Sequence, residues 1–359
     1  MCAAVEVAKK IKQHMPGMEI VRFVNSGSEA VHMALRAARV YTGREKYAKF
    51  EGNYSGQLDN ELISGDVFAG PEDSPEPVAQ GTGIPKYVLD NVVVLPWNDA
   101  EASVAIIKKH AKELAAVLLE PAAVTYLGGI PAERSFVQAL RKVCDEEGIV
   151  LIYDEVVTGF RLGLNGAYSI TGVIPDLRAL AKLIGGGFPV GAYGGRRDIM
   201  DRAVTPIEKP GEVKATYFEE KRMFQSGTYS GNPISMVAGL ATIKELEKPG
   251  FYERLNGYGE RIRSGLRKIA ADVGIPMQVV GVGSLFIIHF SEHPIRNIRD
   301  IARSDRETGA AFILGWVANG IFCSPGHEAL LSGALTDADI DKIIEVSEMV
   351  LREIKKHQA

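Results

Sequence analysis

"GIVLIYDE", residues 148–155, decides the fold. Five apolar residues follow a glycine and end in two acids, a short run of the kind that forms a buried strand. Similar runs recur along the first two-thirds of the chain: "EIVRFV" (19–24), "YAKFEG" (47–52), "NVVVLP" (91–96) and "AAVLLEP" (115–121). Helical patterns separate them. "EAVHMALRAARVYTG" (29–43) puts Val31, Leu35 and Ala38 on one face, and a second helix carries Phe136, Leu140 and Val143 at i, i+4 and i+7. Strands alternating with helices predict an α/β fold, a mostly parallel central sheet flanked by helices on both faces.

Residues 59–88 are rich in Gly, Pro, Asp and Ser and read as one long loop, a length that is usually functional or mobile. A second irregular, charged stretch covers about 204–224. After about 245 the texture changes to a long helix (250–272), a strand pair near 277–290 and two amphipathic helices (299–319 and 337–355). Two domains are expected, a large α/β domain over 1–245 and a smaller C-terminal α+β domain over 246–359, which suits a chain of 359 residues.

Composition narrows the function. Hydrophobic content of 46% and charged content of 24% are those of a soluble globular protein, and a net charge of −4 predicts no general affinity for nucleic acid or anionic membrane. No apolar run approaches the ~18 residues of a membrane span. "MCAAVEVAKKIKQHM" mixes charges into its apolar positions and reads as an amphipathic helix rather than a signal peptide. Cys2, Cys144 and Cys323 are scattered, without a CxxC or a nearby histidine, which points to a reducing, cytoplasmic setting and to neither a disulfide framework nor a metal site.

Ligands of open parallel sheets bind at the carboxyl ends of the strands, so the residues just after each run carry the chemistry. "NSGSEA" follows 19–24. Gly27 permits a tight turn, and the N–H groups and dipole of the helix that begins there suit a phosphate; Ser26 or Ser28 with Glu29 could equally form a plain N-terminal cap. Asp154 closes an apolar strand, where a carboxylate requires a positive partner; it could equally cap a helix or ligate a metal, though no ligand cluster accompanies it. Lys182 stands in the apolar run "ALAKLIGGGFPVGAYGG" (179–195). A lysine desolvated there has a depressed pKa and suits attack on a carbonyl, whereas a lysine at a strand edge could simply reach for solvent. Gly185, Gly186 and Gly187 would let another body approach the backbone closely, and their spacing is wrong for a dinucleotide fingerprint. One ligand accounts for a phosphate cradle, an acid and a lysine together: pyridoxal 5′-phosphate, which needs all three.

The chain resembles the class III (subgroup II) pyridoxal-phosphate aminotransferases of fold type I, nearest in texture to glutamate-1-semialdehyde aminomutases and β-amino-acid transaminases. "FVNSGSEAVHMALRAARVYTGR", "FEGNYSG", "LLEP", "IYDEVVTGFR", "PDLRALAKLIGGGFPVGAYGGR" and "GTYSGNP" carry the resemblance in order from about 19 to 240, and "PGHEALLSGALTDADID" extends it. The family carries a longer segment ahead of the helix matched by "VEVAKKIKQ". The resemblance implies that Lys182 holds the cofactor's aldehyde covalently and then moves a proton, and that Asp154 pairs with the pyridine nitrogen. It implies that Tyr54 and Val156 cover the two ring faces and that Gly27 and Ser28 hold the phosphate. It places Glu120 in a supporting "EP" turn and Glu328 near the substrate amine. Thr228 would reach the phosphate of a neighbouring subunit, making the active unit a homodimer with shared sites.

The activity implied is ping-pong transfer of an amino group from a small-molecule donor to a keto acid or aldehyde. Glutamate-1-semialdehyde 2,1-aminomutase and a catalytically silent cofactor-binding protein are the alternatives. Ser55 replaces the histidine common in the aminomutases and Val157 stands where many members place a glutamine. The first of these, with "QGTGIP" (80–85) in place of the aminomutase glycine-proline loop, tilts the reading toward a transaminase.

Overall fold

The computed structural model describes residues 2–122, 128–204, 222–323 and 329–358. They fall into two compact units: Met1–Pro121 with Glu133–Glu247, and Ala122–Ala132 with Lys248–Ala359. The sequence pattern alone gave one break near 245; the structure also assigns 122–132 to the second unit.

The first unit runs α1 (Cys2–His14), β1 (Ile20–Val24), α2 (Gly27–Thr42), β2 (Lys46–Phe50), α3 (Lys86–Leu89), β3 (Val92–Leu95), α4 (Ala100–Lys109) and β4 (Leu114–Leu119). It continues with α5 (Arg134–Glu147), β5 (Val150–Glu155), α6 (Tyr168–Thr171), β6 (Leu177–Ala181), β7 (Gly191–Gly195), α7 (Arg197–Ala203) and α8 (Pro233–Leu246). All five quoted apolar runs are strands. The sheet has seven strands in the order β1-β7-β6-β5-β4-β2-β3. Pairings along β6-β5-β4-β2-β3 are parallel, and only β7 runs against its neighbours β1 and β6.

Every residue of β4 and β5 is buried, so the two-residue alternation of the strand sorts side chains between two covered faces rather than between core and water. Val150 and Ile152 join the core under α2, with Ala30, Val31, Ala34, Leu35 and Ala38 of that helix. Tyr153 points the other way and its hydroxyl meets Thr171 Oγ1 of α6 at 3.2 Å. The alternation therefore puts Asp154 on the α2 face and Glu155 on the opposite one.

Glu155 is completely buried and pairs with Arg178 of β6, itself 1% exposed. Arg178 lies over the Tyr153 ring, 5.7 Å from its centroid, and also donates to Pro16 O at 3.1 Å. The second Glu155 oxygen accepts from Ala167 N at 2.6 Å. This tie joins the end of β5 to the start of β6, the two strands that deliver Asp154 and Lys182.

The second unit holds α9 (Phe251–Val273), β8 (Gln278–Val280), β9 (Leu285–His289), α10 (Ile298–Ala302), α11 (Arg306–Ala318), β10 (Ala329–Leu330) and α12 (Asp337–Gln358). Its three strands form an antiparallel sheet, and Leu266, Phe286, Phe312, Trp316 and Leu351 build its core. The single helix expected over 299–319 is two helices. The first ends at Arg303, and Asp305 caps the second, accepting from Thr308 N at 2.9 Å, while its own N–H donates to Phe290 O.

Replacing Arg178 by Met leaves the Glu155 carboxylate buried without its cation and is expected to cost about 3–5 kcal/mol. A urea denaturation midpoint measures the loss, and the double change Arg178→Met with Glu155→Leu should recover much of it.

Candidate active site

Because β1, β2, β4, β5 and β6 run the same way, their carboxyl ends share one edge of the first unit. Gly191, the first residue of β7, pairs there with both Val24 and Ala181. The segments Asn25–Ser28, Glu51–Ser55, Glu120, Val156 and Lys182 all leave the sheet at this edge. Asp154 on β5 lies opposite Ala179 of β6, three residues before Lys182.

Asp154 is 4% exposed, and its Oδ1 accepts from Val156 N at 3.0 Å. Burial pushes its carboxyl up to about 6; the Val156 N–H and the charges of Lys182 and Lys49 oppose that rise. It is thus an acid that is ionised at neutral pH but held in a place where an anion is stable only opposite a cation.

Of the two readings of "NSGSEA", the structure shows the N-terminal cap. Ser26 caps α2 through Glu29 N at 3.2 Å, and the Glu29 carboxylate takes Asn25 N at 2.5 Å. The cap therefore leaves Gly27 and Ser28 in the first helical turn, at its positive end. A Cβ at Gly27 would meet the two γ-methyls of Val156 at 2.8 and 2.9 Å, so glycine is required for Val156 to pack beneath this turn. Ser28 Oγ accepts from Gln57 N at 3.0 Å and ties the turn to the loop after β2. In that loop Tyr54 is half-buried between Asn53 and Ser55, which are buried. Asn53 Oδ1 accepts from Glu120 N at 2.9 Å, which fixes the loop to the end of β4.

Lys182 departs from the expectation. It is exposed, not desolvated by the apolar run around it. The run ends at Ala181, and Lys182 opens a 3₁₀ turn, Lys182–Gly185, with φ of 49°, in the left-handed region that a lysine rarely occupies. That turn lifts the amine off the strand and into the open edge. The glycines differ as well. Gly187 has open space and Gly185 meets Val190, but Gly186 is approached by α8: a Cβ there would lie 2.5 Å from Ala238 O, and one at Gly239 would lie 1.9 Å from Ile184 O. Gly186 and Gly239 seat the lysine turn on a helix of the same unit.

Thr228 follows Gly227, where a Cβ would lie 3.4 Å from Asn25 Nδ2 of the Asn25–Ser28 segment. It lies in the exposed turn 227–230, placed near β1 by Gln225, which donates to Phe23 O at 3.0 Å. Glu328 lies outside the described residues. Two buried groups went unread in the sequence, Lys49 on β2 and Glu61 in the loop beyond it. Lys49 donates to the main-chain oxygens of Glu61 and Ile63, at 3.2 and 2.6 Å. Its signal was available: a lysine inside an apolar strand is the pattern that drew attention to Lys182.

Residues 2–347 match the family described as aminotransferase class-III. The chain belongs to that family. This class III aminotransferase is 41% identical over 355 residues to a glutamate-1-semialdehyde 2,1-aminomutase of Desulfatibacillum aliphaticivorans, covering 98% of this chain and 78% of that protein. Among solved structures it is similar to an omega-transaminase from Sphaerobacter thermophilus (36% identity, TM-score 0.88, 98% of this chain and 78% of that one). It is also similar to a transaminase with PLP bound (31% identity, TM-score 0.85, 100% of this chain and 79% of that one).

The aminotransferase is a pyridoxal-phosphate enzyme of fold type I, and its sheet edge fits that cofactor. The buried Asn53 Nδ2 and Ser55 Oγ flank Tyr54 and have no hydrogen-bond partner among the described residues, as expected of a wall built for a polar guest. A buried acid, a reachable amine and a helix N-terminus are the donor set the cofactor requires. Among the described residues no group of three or more His, Cys, Asp or Glu side chains could hold a metal ion, and no helix is long and apolar enough to cross a membrane.

Gly239→Ala is expected to push α8 off the lysine turn, destabilising the aminotransferase by about 1–3 kcal/mol and lowering the fraction of protein that takes up cofactor. Thermal melting and the visible absorbance of the purified variant read the two effects.

Proposed function

We propose that this aminotransferase moves an amino group between a small amine or amino acid and a keto acid or aldehyde by ping-pong exchange, working as a cytoplasmic homodimer. The observation that carries the reading is the meeting of Asp154, Lys182 and the first turn of α2 at one edge of the sheet. Pyridoxal 5′-phosphate, when bound, supplies the aldehyde that takes the amino group and the ring that accepts electrons from the substrate carbon. The chain's own residues do the rest. Gly27 and Ser28 bind and orient the phosphate, while Val156 and Tyr54 hold the ring between them. The Asp154 carboxylate keeps a proton on the pyridine nitrogen. Lys182 Nζ would hold the aldehyde at rest and, once displaced by the incoming amine, would take the proton from the substrate carbon, a role that its exposed, lifted position allows. Glu120 acts through Asn53, holding the Tyr54 loop in place, and Glu328 is assigned to the substrate amine by the family pattern alone.

The aminomutase is the second reading, favoured by the name of the 41%-identical relative. Ser55, buried beside Tyr54 where those enzymes commonly have histidine, favours the transaminase. With the cofactor-loaded chain, a screen of α-amino acids, β-amino acids and simple amines against a keto acid should give turnover that requires both partners. Conversion of glutamate 1-semialdehyde to 5-aminolevulinate without a keto acid would favour the aminomutase, and neither activity would leave a silent cofactor-binding protein. Lys182→Ala should lose turnover and the covalent absorbance band.

Support for the homodimer comes from the apolar side chains around Thr228. Phe188, Phe224, Tyr229, Ile234 and Val237 are each at least half exposed, and Ser235 Oγ bonds Pro189 O at 2.6 Å, joining the start of α8 to the segment after the glycines. Such a patch is costly to leave in water, and covering it with a second copy would carry Thr228 to the partner's site. The free, buried thiol of Cys144 suits a reducing compartment. Light scattering should give twice the chain mass, and Ile234→Asp with Val237→Asp should yield monomer.

A further inference from the structure

Glu61 lies in the loop after β2 and is 1% exposed. Leu58 N donates to its Oε2 at 3.3 Å, and its Oε1 has no partner among the described residues. A Cβ built on Gly56 would stand 1.8 Å from Glu61 Oε2 and 2.8 Å from Ser28 Oγ, so the carboxyl and the hydroxyl at the start of α2 both lie against Gly56 and close to each other. The neighbouring ammonium, Lys49, directs its bonds to the main-chain oxygens of Glu61 and Ile63. An unpaired carboxylate in this place would cost far more than a neutral acid. Beside a phosphate dianion it would also be repelled.

We propose that Glu61 is a further cofactor-binding residue, a neutral carboxylic acid whose O–H is donated to the phosphate beside Ser28. This rests on the reading that Gly27 and Ser28 hold that phosphate. The groups that face Glu61 are Lys49 and Tyr47 from β2, Asp154 from β5, Ser28 from α2 and the Leu58 N–H of its own loop; Glu120 from β4 acts on Lys49. Burial pushes the Glu61 carboxyl up to about 8; the Leu58 N–H opposes the rise, the Asp154 charge adds to it and Lys49 opposes it. The bound form carries the proton. Affinity for a phosphorylated cofactor is therefore constant well below pH 8 and falls as pH rises through it. Burial also brings Lys49 down to about 8, and loss of its charge would weaken phosphate binding in the same direction, so the test must separate the two.

Pyridoxamine 5′-phosphate and pyridoxamine are the probes, since neither forms a covalent bond to Lys182 and their ratio of Kd values isolates the phosphate. Between about pH 7 and about pH 9.5 a phosphate ester is already largely a dianion. The affinity advantage of the phosphorylated probe should fall on the order of tenfold in the wild-type chain. Glu61→Gln, which keeps a donor but does not titrate, should hold that advantage constant, with circular dichroism verifying the fold. A wild-type slope that persists in Glu61→Gln assigns the titration to Lys49 and overturns the proposal, as does a flat wild-type profile. Ser28→Ala should weaken only the phosphorylated probe; if it does not, the placement of the phosphate itself is wrong. Calorimetry of the wild type and of Glu61→Gln in two buffers of different ionisation heat, near pH 8.5, should show the wild type taking up about three-quarters of a proton more on binding. No difference between the two also overturns the proposal.

Discussion

A carboxylate buried at the end of β5 is the constraint around which the first unit is arranged. Asp154 is surrounded by packed strand and helix, and burial alone would drive it toward the neutral form. Two cations from neighbouring strands, Lys182 beyond β6 and Lys49 on β2, oppose that drift. The sheet order sets β6 and β4 on either side of β5, with β2 next beyond β4. The parallel direction of these strands is what collects the charges at one edge rather than scattering them over two.

The acid immediately after Asp154 has the opposite task. The strand alternation turns Glu155 to the other face, where Arg178 and Ala167 N satisfy it. One acid lies on the α2 face near Lys182 and Lys49; the next is closed within the fold and holds β5 and β6 together. Glu61 adds a third condition, an acid buried with one oxygen unpartnered beside the start of α2. The acid and the cations gathered at one edge suit a ligand that is positive at its ring nitrogen and negative at its phosphate. The left-handed turn at Lys182 belongs to the same arrangement, because an extended lysine at that position would continue the strand instead of entering the edge.

Much of this was legible in the chain. The five apolar runs are strands because apolar and β-branched residues sheltered on both faces admit few other structures. Val31, Leu35 and Ala38 face the core because their spacing follows the helical turn. The residues after the strands were found because a parallel sheet brings those ends together whatever its length. The errors share one physical origin. Lys182 looked desolvated because its sequence neighbours are apolar, yet a single turn takes it out of their shelter. The glycines looked like space for a ligand, although Gly186 meets the carbonyl of Ala238, more than fifty residues away in the chain. Lys49 and Glu61 were passed over because burial of a charged group depends on what folds over it, which periodicity does not record.

By itself the sequence determined the class of fold, the order of the strands along the chain, the acid and amine at their ends and the family they belong to. Those are local facts, set by side-chain type and spacing. Only the tertiary structure decided which face each acid takes, which cation stands near which carboxylate, and that the lysine is open while the glutamate beside Ser28 is closed. Burial and electrostatic pairing come from segments distant in the chain, and they exist only once the sheet has assembled.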